Sequence, residues 1–215
     1  TYYGSQDRET NVLLFISDGA FFNMKILFKY ATKSRPAWFK KTLELYQSMF
    51  SGKHFCYFSV SMNEDDPTMN NLDMRTYLLS KPNVAFMYGK HRSKVEAINA
   101  DMEGADFDVL VVVSDDMIPV VHGFDDIIAS DMTKYFPGLD GALHYPDSIQ
   151  RDNLITCTIM GRILYQHFGY IYNPEYLSLW CDTEFTHVVK EMKKVKYLDK
   201  VIIKHEWRKH DDALY

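Results

Sequence analysis

Hydrophobic and polar positions follow a regular alternation along the first half of the chain. Short apolar runs of strand length are each followed by a polar turn and by a segment with apolar residues at helical spacing. The predicted strands are 24–30, 54–60, 83–88 and 109–113. A strand–helix rhythm of this kind predicts βα units, which build a mostly parallel sheet covered by helices.

Three helices are predicted between these strands. The first has an apolar residue every three or four positions from Phe39 to Phe50, and Ser34 is its predicted N-cap. The second is predicted over 68–80. The third begins at Ser93, because Ser93 and Glu96 have the spacing of a capping box.

The second half of the chain is less regular. A helix is predicted over 124–135, strands over 141–145 and 153–160, a helix that opens at 180–185, and a final strand over 201–207. Alternation in that last strand places Val201, Ile203 and His205 on one face. With no linker or repeat in view, we predict one domain over 24–207, an extension of unclear role over 1–23 with a candidate strand at 12–16, and a tail over 208–215.

The run Val109–Val113 carries the strongest chemical signal. Five consecutive aliphatic residues predict a strand buried on both faces, and the run ends in Ser114, Asp115 and Asp116. Ligands of open α/β sheets bind at the carboxyl ends of strands, and two adjacent carboxylates need a cation or several donors. This pattern favours a divalent metal with oxygen ligands, shared with a substrate's phosphates. The alternative is a polar turn in which Asp115 or Asp116 caps a helix.

Composition narrows the class of protein. Of 215 residues, 47% are hydrophobic and 25% charged, which is ordinary for a globular domain, and the net charge of -5 does not indicate general nucleic-acid binding. Cys56, Cys157 and Cys181 form no CxxC pair, which argues against a disulfide scaffold or a zinc knuckle. No apolar run approaches the roughly 18 residues of a membrane span. We therefore expect a soluble protein in a reducing, cytoplasmic compartment.

The order of these segments resembles the GT-A glycosyltransferases, most closely the family 2 type that uses nucleotide-diphosphate sugars and, more loosely, phage-type members. The resemblance runs from about 24 to 207, and its segments are Thr32–Pro36, Asn63–Asp66, Gly89, Lys94–Ala100, Ser114–Asp116, Trp180–Asp182 and His205. It implies a Rossmann-like, three-layer α/β/α fold with a mostly parallel central sheet.

The resemblance also implies site residues. Asp116, last in the DxD-like motif, and His205 would bind Mn²⁺ or Mg²⁺, and Asp115 would face the ribose or the donor sugar. Asn63, with Asp65 near it, would read the uracil edge, and Lys94 would approach the nucleotide. The loop that contains Thr32 and Arg35 would also bind the nucleotide-sugar.

Two departures from the family pattern affect these assignments. The DxD-like motif begins with Ser114 rather than with an acid. Asn63 stands where the family usually has an aspartate, which leaves the base preference open between UDP- and GDP-sugars.

Asp182 is the candidate catalytic base, because an acceptor hydroxyl must lose its proton in an inverting displacement. An aspartate just before an apolar-periodic helix is also a good N-cap, so both roles stay open, and Glu184 is the second candidate base. For His205, a hydrogen-bonded core histidine is the alternative to a metal ligand.

The residue pattern and the resemblance together imply a metal-dependent inverting glycosyltransferase that transfers a sugar from a UDP-sugar to an acceptor hydroxyl. A retaining mechanism on the same fold stays open. A sugar-1-phosphate nucleotidyltransferase and a non-catalytic nucleotide- or glycan-binding domain are the alternatives. Glycan, protein, lipid-linked sugar and modified nucleic acid all remain open as acceptors, and no oligomeric state is predicted.

Overall fold

A computed structural model describes residues 24–206. The predicted extension 1–23, the candidate strand 12–16 within it, and the tail 208–215 lie outside the described residues. Trp207, the last residue of the predicted final strand, also lies outside them.

The described residues form nine strands and six helices. The strands are β1 (Lys25–Ala31), β2 (Phe55–Asn63), β3 (Val84–Gly89), β4 (Val109–Val113), β5 (Met117–Pro119), β6 (Ala142–His144), β7 (Ile159–Gly161), β8 (Val195–Tyr197) and β9 (Ile203–His205). The helices are α1 (Pro36–Met49), α2 (Leu72–Leu79), α3 (Lys94–Asn99), α4 (Phe124–Tyr135), α5 (Arg162–Phe168) and α6 (Cys181–Glu191).

Seven of the strands form one sheet in the order β3-β2-β1-β4-β7-β6-β8. Strands β1 to β4 are parallel neighbours, β7 runs antiparallel to both β4 and β6, and β6 is parallel to β8. Only β7 therefore opposes the common direction, and the prediction of a mostly parallel sheet is confirmed. The other two strands, β5 and β9, form a separate antiparallel pair.

Helices cover both faces of this sheet. One hydrophobic cluster joins α1, α2 and α4 to the sheet, and the other joins α3, α5 and α6 to its opposite face. Successive residues of β4 enter alternate clusters, as the pleat requires, and all five are buried. The predicted three-layer α/β/α architecture is confirmed.

Side-chain caps set the starts of α2 and α3, and the observed caps correct two predictions from the sequence. Ser93 caps α3 by accepting from the Glu96 amide, but the Glu96 carboxylate accepts from the Arg92 amide rather than completing a capping box. Helix α2 begins at Leu72, not near residue 68, because the Asn71 side chain caps it by accepting from the Met74 amide.

The predicted cap of the first helix was wrong. Ser34 has a φ of 59°, and its amide donates to the carboxylate of Asp66 at 2.6 Å. Arg35 occupies the N-cap position without a side-chain cap bond, and Pro36 fills the first helical position. The loop after β1 is therefore held by the segment after β2 rather than by its own helix.

The second half shows the larger deviations. Strand β7 (Ile159–Gly161) overlaps the predicted strand 153–160 at only Ile159 and Met160. Strand β9 covers only Ile203–His205 of the predicted strand 201–207. Ile202 and Ile203 are both buried, so the predicted alternation does not describe this segment. Strands β5 and β8 are three residues each, too short for a periodic pattern.

A lysine lies buried in the middle of the sheet. The Lys29 ammonium donates to the Ser61 hydroxyl at 2.6 Å and lies 3.3 Å from that of Ser59, and Ser61 donates to Asp101 at 2.5 Å. Burial lowers the pKa of Lys29 to about 8, although the Asp101 carboxylate opposes the shift. The three polar residues on β1 and β2 thus tie the sheet to the segment that follows α3.

The depressed pKa of Lys29 predicts a pH dependence of stability. Unfolding restores the ordinary pKa of 10.5, so the charged form costs stability below pH 8, and that cost disappears as the pH rises to about 10.5. The free energy of unfolding of the wild type should therefore rise by up to about 3 kcal/mol across this window relative to Lys29→Met. Chemical denaturation of both proteins at several pH values measures the difference. Lys90→Met, which removes an exposed ammonium, is the control, and a Lys29→Met curve parallel to the wild type would contradict the prediction.

Candidate active site

A cavity of about 310 Å³ lies at the carboxyl end of β4. Four of the predicted site residues line it, namely Lys94, Asp116, Asp182 and His205. They come from the start of α3, the turn after β4, the first turn of α6 and the end of β9. Segments distant in sequence therefore converge on one pocket.

The β5–β9 pair brings Asp116 and His205 together. Met117 is paired with His205 in the antiparallel register, and the Glu206 amide donates to the Asp116 carbonyl at 2.7 Å. As a result, Nε2 of His205 lies 3.3 Å from Oδ2 of Asp116. The strand pairing and the bond from Glu206 to Asp116 thus hold the backbones that carry these two side chains next to each other.

Asp116 is an ionised carboxylate that lies beside the positively charged side chains of His205 and Lys94. Burial acts to raise its pKa, but hydrogen bonds from His205 and Ser114 prevail and hold the pKa well below its usual range. The nearby positive charge of Lys94 acts in the same direction. Asp116 therefore carries a full negative charge at the wall of the cavity.

His205 lies between two carboxylates. Its Nδ1 is 3.5 Å from Oδ2 of Asp147, on the side of the ring opposite Asp116. Burial acts to lower the pKa of His205, yet the two acids raise it to about 9. Asp147 was not predicted from the sequence, and it is only 3% exposed.

Asp116 and His205 could supply two ligands to a divalent cation. Across residues 24–206, no group of three or more His, Cys, Asp or Glu is arranged to hold a metal ion. Asp147 does not converge with the other two, because it contacts the far nitrogen of the ring. One carboxylate and one imidazole fit Mg²⁺ or Mn²⁺ only if a substrate's phosphates and water supply the remaining ligands.

Asp115 lies on the other side of the turn, outside the cavity lining. It is 7% exposed, and its carboxylate accepts from the Tyr30 hydroxyl at 2.8 Å and from the Thr32 hydroxyl at 3.1 Å. Thr42 of α1 donates to its carbonyl at 2.9 Å. Burial raises the pKa of Asp115 to about 6 against these hydrogen bonds. Neither Asp115 nor Asp116 caps a helix, so that alternative was wrong.

Asp182 lies in the first turn of α6 and lines the cavity. The N-cap of this helix is Trp180, with a φ of 72°, so the interpretation of Asp182 as the cap was wrong. Glu184 is not among the residues that line the cavity and lies near Tyr170 instead. Of the two candidate bases, Asp182 is the one with access to the space beside Asp116.

Two of the predicted nucleotide-binding residues lie beside Asp115. Thr32 is buried and contacts Asp115 directly, and the positive charge of Arg35 acts on the same carboxylate. Asn63 is 7% exposed, and its side-chain amide donates to the His91 carbonyl at 3.0 Å. Asp65 is exposed. The structure thus brings Thr32 and Arg35 to Asp115, whereas Asn63 faces the loop after β3.

Among the acids after β2, Asp66 is the one that faces inward. It is 3% exposed, and it accepts from the Ser34 amide and from the Thr68 hydroxyl, the latter at 2.6 Å. Sequence reasoning missed Asp66, Asp147 and Tyr30. The position of Asp66 before Pro67 and Thr68 was a usable turn signal. Nothing in the sequence distinguishes Asp147 from other turn aspartates.

The sequence predicts neither a disulfide scaffold nor a membrane-spanning helix. Cys56, Cys157 and Cys181 are all free and buried. Within residues 24–206, no helix has the length and apolar character required to cross a bilayer.

Comparison with known proteins gives structural matches only. No protein-family model and no curated protein sequence matches the chain. The structure is similar to the mannosyltransferase PcManGT from Pyrobaculum calidifontis in complex with GDP-Man and Mn²⁺, with a TM-score of 0.68 and 12% identity over 89% of this chain and 59% of that one.

Two further structures share the architecture. S. aureus TarS 1–349 in complex with UDP-GlcNAc matches with a TM-score of 0.66 and 15% identity, over 86% of this chain and 59% of that one. A mutant of Drosophila β-1,4-galactosyltransferase 7 in complex with manganese, UDP-Gal and xylobiose matches with a TM-score of 0.56 and 12% identity, over 86% and 71%. The chain therefore spans 59% of the PcManGT chain and of the TarS 1–349 chain, and 36% of the longer TarS chain that it also matches.

These likenesses extend over 86–89% of this chain. The chain has the GT-A fold of nucleotide-sugar glycosyltransferases.

Proposed function

We propose that the chain is a metal-dependent, inverting glycosyltransferase that moves a sugar from a nucleotide-diphosphate sugar, expected to be a UDP-sugar, to an acceptor hydroxyl. One observation carries the proposal: the carboxylate of Asp116 and the imidazole of His205 meet in a cavity that Asp182 also lines. The GT-A fold and the nucleotide-sugar complexes of the similar structures support it.

Asp116 and His205 would hold Mn²⁺ or Mg²⁺ in this proposal. The bound cation would supply charge stabilisation for the diphosphate leaving group, which gains negative charge as the glycosidic bond breaks. Lys94, on the same cavity wall, adds a second positive charge near that position.

Asp182 would take the proton of the acceptor hydroxyl. A general base must lie within hydrogen-bond reach of the hydroxyl while the hydroxyl attacks the sugar. Asp182 lines the cavity that contains Asp116, and Glu184 does not, so Asp182 is the better candidate. A single displacement with one base inverts the anomeric configuration.

The proposed direct contacts to the nucleotide-sugar are Arg35, Asn63, Asp65 and Asp115. Thr32 is proposed to act through Asp115. The hydroxyls of Thr32 and Tyr30 orient the Asp115 carboxylate, so Thr32 would act by holding Asp115 rather than by touching the donor. Since Asn63 donates to the His91 carbonyl, its amide would have to exchange that bond to read a base edge.

A nucleotidyltransferase is the weaker alternative. Such enzymes bind triphosphate with the free amides of a glycine-rich loop after the first strand. Here the loop after β1 contains no glycine, and the amides of Thr32 and Ser34 are bonded to the Ser61 carbonyl and to Asp66. A non-catalytic binding domain would need neither Asp182 nor the Asp116–His205 pair.

The Asp116–His205 pair gives the first test of the proposal. In Asp116→Asn the charge at the proposed ion is lost, so the Mn²⁺-dependent affinity for UDP should fall at least about tenfold and transfer should be abolished. Calorimetry with UDP, with and without Mn²⁺, measures this. Asp108→Asn makes the same change at the opposite end of β4 and should leave binding unchanged. Metal-dependent affinity that survives in Asp116→Asn would count against the site.

The second test separates a base from a helix-stabilising acid. If Asp182 accepts the acceptor proton, Asp182→Asn should lower kcat by about 10²- to 10⁴-fold while donor binding stays within about threefold. Glu184→Gln, in the same helical turn but outside the cavity, should retain kcat. Steady-state kinetics with a UDP-sugar and product analysis by NMR give both values. A kcat near that of the wild type in Asp182→Asn would remove Asp182 from the mechanism.

A further inference from the structure

The carboxylate of Asp147 lies directly behind His205, as seen from Asp116. We propose that Asp147 is a positioning residue for His205, which keeps the proton of the neutral imidazole on Nδ1 and leaves Nε2 free to bind the ion beside Asp116. The inference rests on the proposed function, because it assigns a partner to the proposed metal ligand. Nothing in the sequence pattern of the site pointed to this residue.

One oxygen of this carboxylate is committed to the backbone. Oδ1 of Asp147 accepts from the amides of Ile149 and Gln150, at 2.8 and 2.6 Å. Ser148, which follows Asp147 in this turn, has a φ of 83°, a backbone conformation that residues other than glycine rarely adopt. The tight turn fixes the plane of the carboxylate and leaves its second oxygen to face inward.

The second oxygen faces the histidine. Oδ2 accepts from the Thr156 hydroxyl at 2.8 Å and lies 3.5 Å from Nδ1 of His205. That separation is at the long limit for a hydrogen bond. Asp147 is 3% exposed, so its charge acts on the ring with little screening by water.

A main-chain bond ties the two residues together. The His205 amide donates to the Asp147 carbonyl at 2.9 Å. The turn that carries the carboxylate and the strand end that carries the imidazole therefore cannot separate without losing this bond. Met117 and Glu206 hold the same strand end from the Asp116 side.

The chemistry follows from the donor inventory of the two groups. A neutral imidazole has one N–H and one lone pair, and an ionised carboxylate only accepts. When a cation at Asp116 takes the place of a proton on Nε2, a carboxylate at Nδ1 selects the Nδ1–H tautomer and leaves the lone pair of Nε2 to the ion. Outer partners of this type orient metal-bound histidines, and their loss typically costs about 10- to 100-fold in metal affinity.

The alternative role of Asp147 is to hold its own turn, and Asp147→Asn separates the two roles. The side-chain oxygen of the asparagine can still accept from Ile149 and Gln150, so the turn is kept. Its amide group then faces His205 and can only donate, which favours a proton on Nε2 and removes the lone pair that the ion needs.

The experiment measures Mn²⁺ affinity in the presence of UDP by electron paramagnetic resonance. Asp147→Asn should weaken Mn²⁺ binding about 10- to 100-fold, with a melting temperature within about 3 °C of the wild type. Thr156→Val removes the other donor to the same oxygen and keeps the charge, and it should bind Mn²⁺ within about threefold of the wild type. Mn²⁺ affinity in Asp147→Asn equal to that of the wild type would overturn the inference.

His205→Ala distinguishes this failure from failure of the proposed function. If His205→Ala weakens Mn²⁺ binding and Asp147→Asn does not, only the role of Asp147 is overturned. If neither weakens it, the proposed metal site is wrong and the inference falls with it.

A second readout needs no variant. Nitrogen NMR of the wild type with Mg²⁺ and UDP should show His205 protonated on Nδ1 and unprotonated on Nε2. A proton on Nε2 in that complex would overturn the inference even if Asp147→Asn did not fold.

Discussion

The short antiparallel pairing of β5 with β9 is the constraint on which the candidate site depends. It sets Met117 opposite His205, and thereby places an imidazole 3.3 Å from the carboxylate at the end of the central strand. Without this pairing, the turn after β4 would bring Asp116 to the cavity with no imidazole beside it. The pairing itself is only three residues long, and two strands alone are marginally stable, so the burial of Ile203 within it and of Ile202 just before it helps to stabilise it.

Two neighbouring acids end the same strand and meet opposite surroundings. Asp115 turns toward β1, where hydroxyl donors surround it and burial raises its pKa to about 6. Asp116 turns toward the cavity, where His205 holds its pKa well below the usual range. The repulsion expected between adjacent carboxylates is thus relieved by geometry, because only one of them needs a cationic partner. Within the proposed function, this difference assigns Asp116 to the ion and Asp115 to the architecture of the donor side.

The fold was largely predictable, and the site only in part. The parallel strands and the Ser93 cap follow from local patterns, and the buried run before Asp115 and Asp116 marked the right end of the right strand. Short elements such as β5 leave no periodic signal, and the pairing that joins Asp116 to His205 is a long-range event. For the same reason Asp147 was missed: its importance comes from what the folded chain places behind a histidine, which no local pattern encodes. The cap assigned to Asp182 failed because the left-handed backbone at Trp180 begins the helix two residues earlier.

The most direct test of the account is an anomalous diffraction map of the crystallised protein soaked with Mn²⁺ and UDP. The account predicts one anomalous peak at about 2.0–2.3 Å from a carboxylate oxygen of Asp116 and from Nε2 of His205, with the diphosphate on the cavity side of the ion. A peak bound elsewhere, or UDP bound in the cavity with no ion between it and these two side chains, would contradict the account.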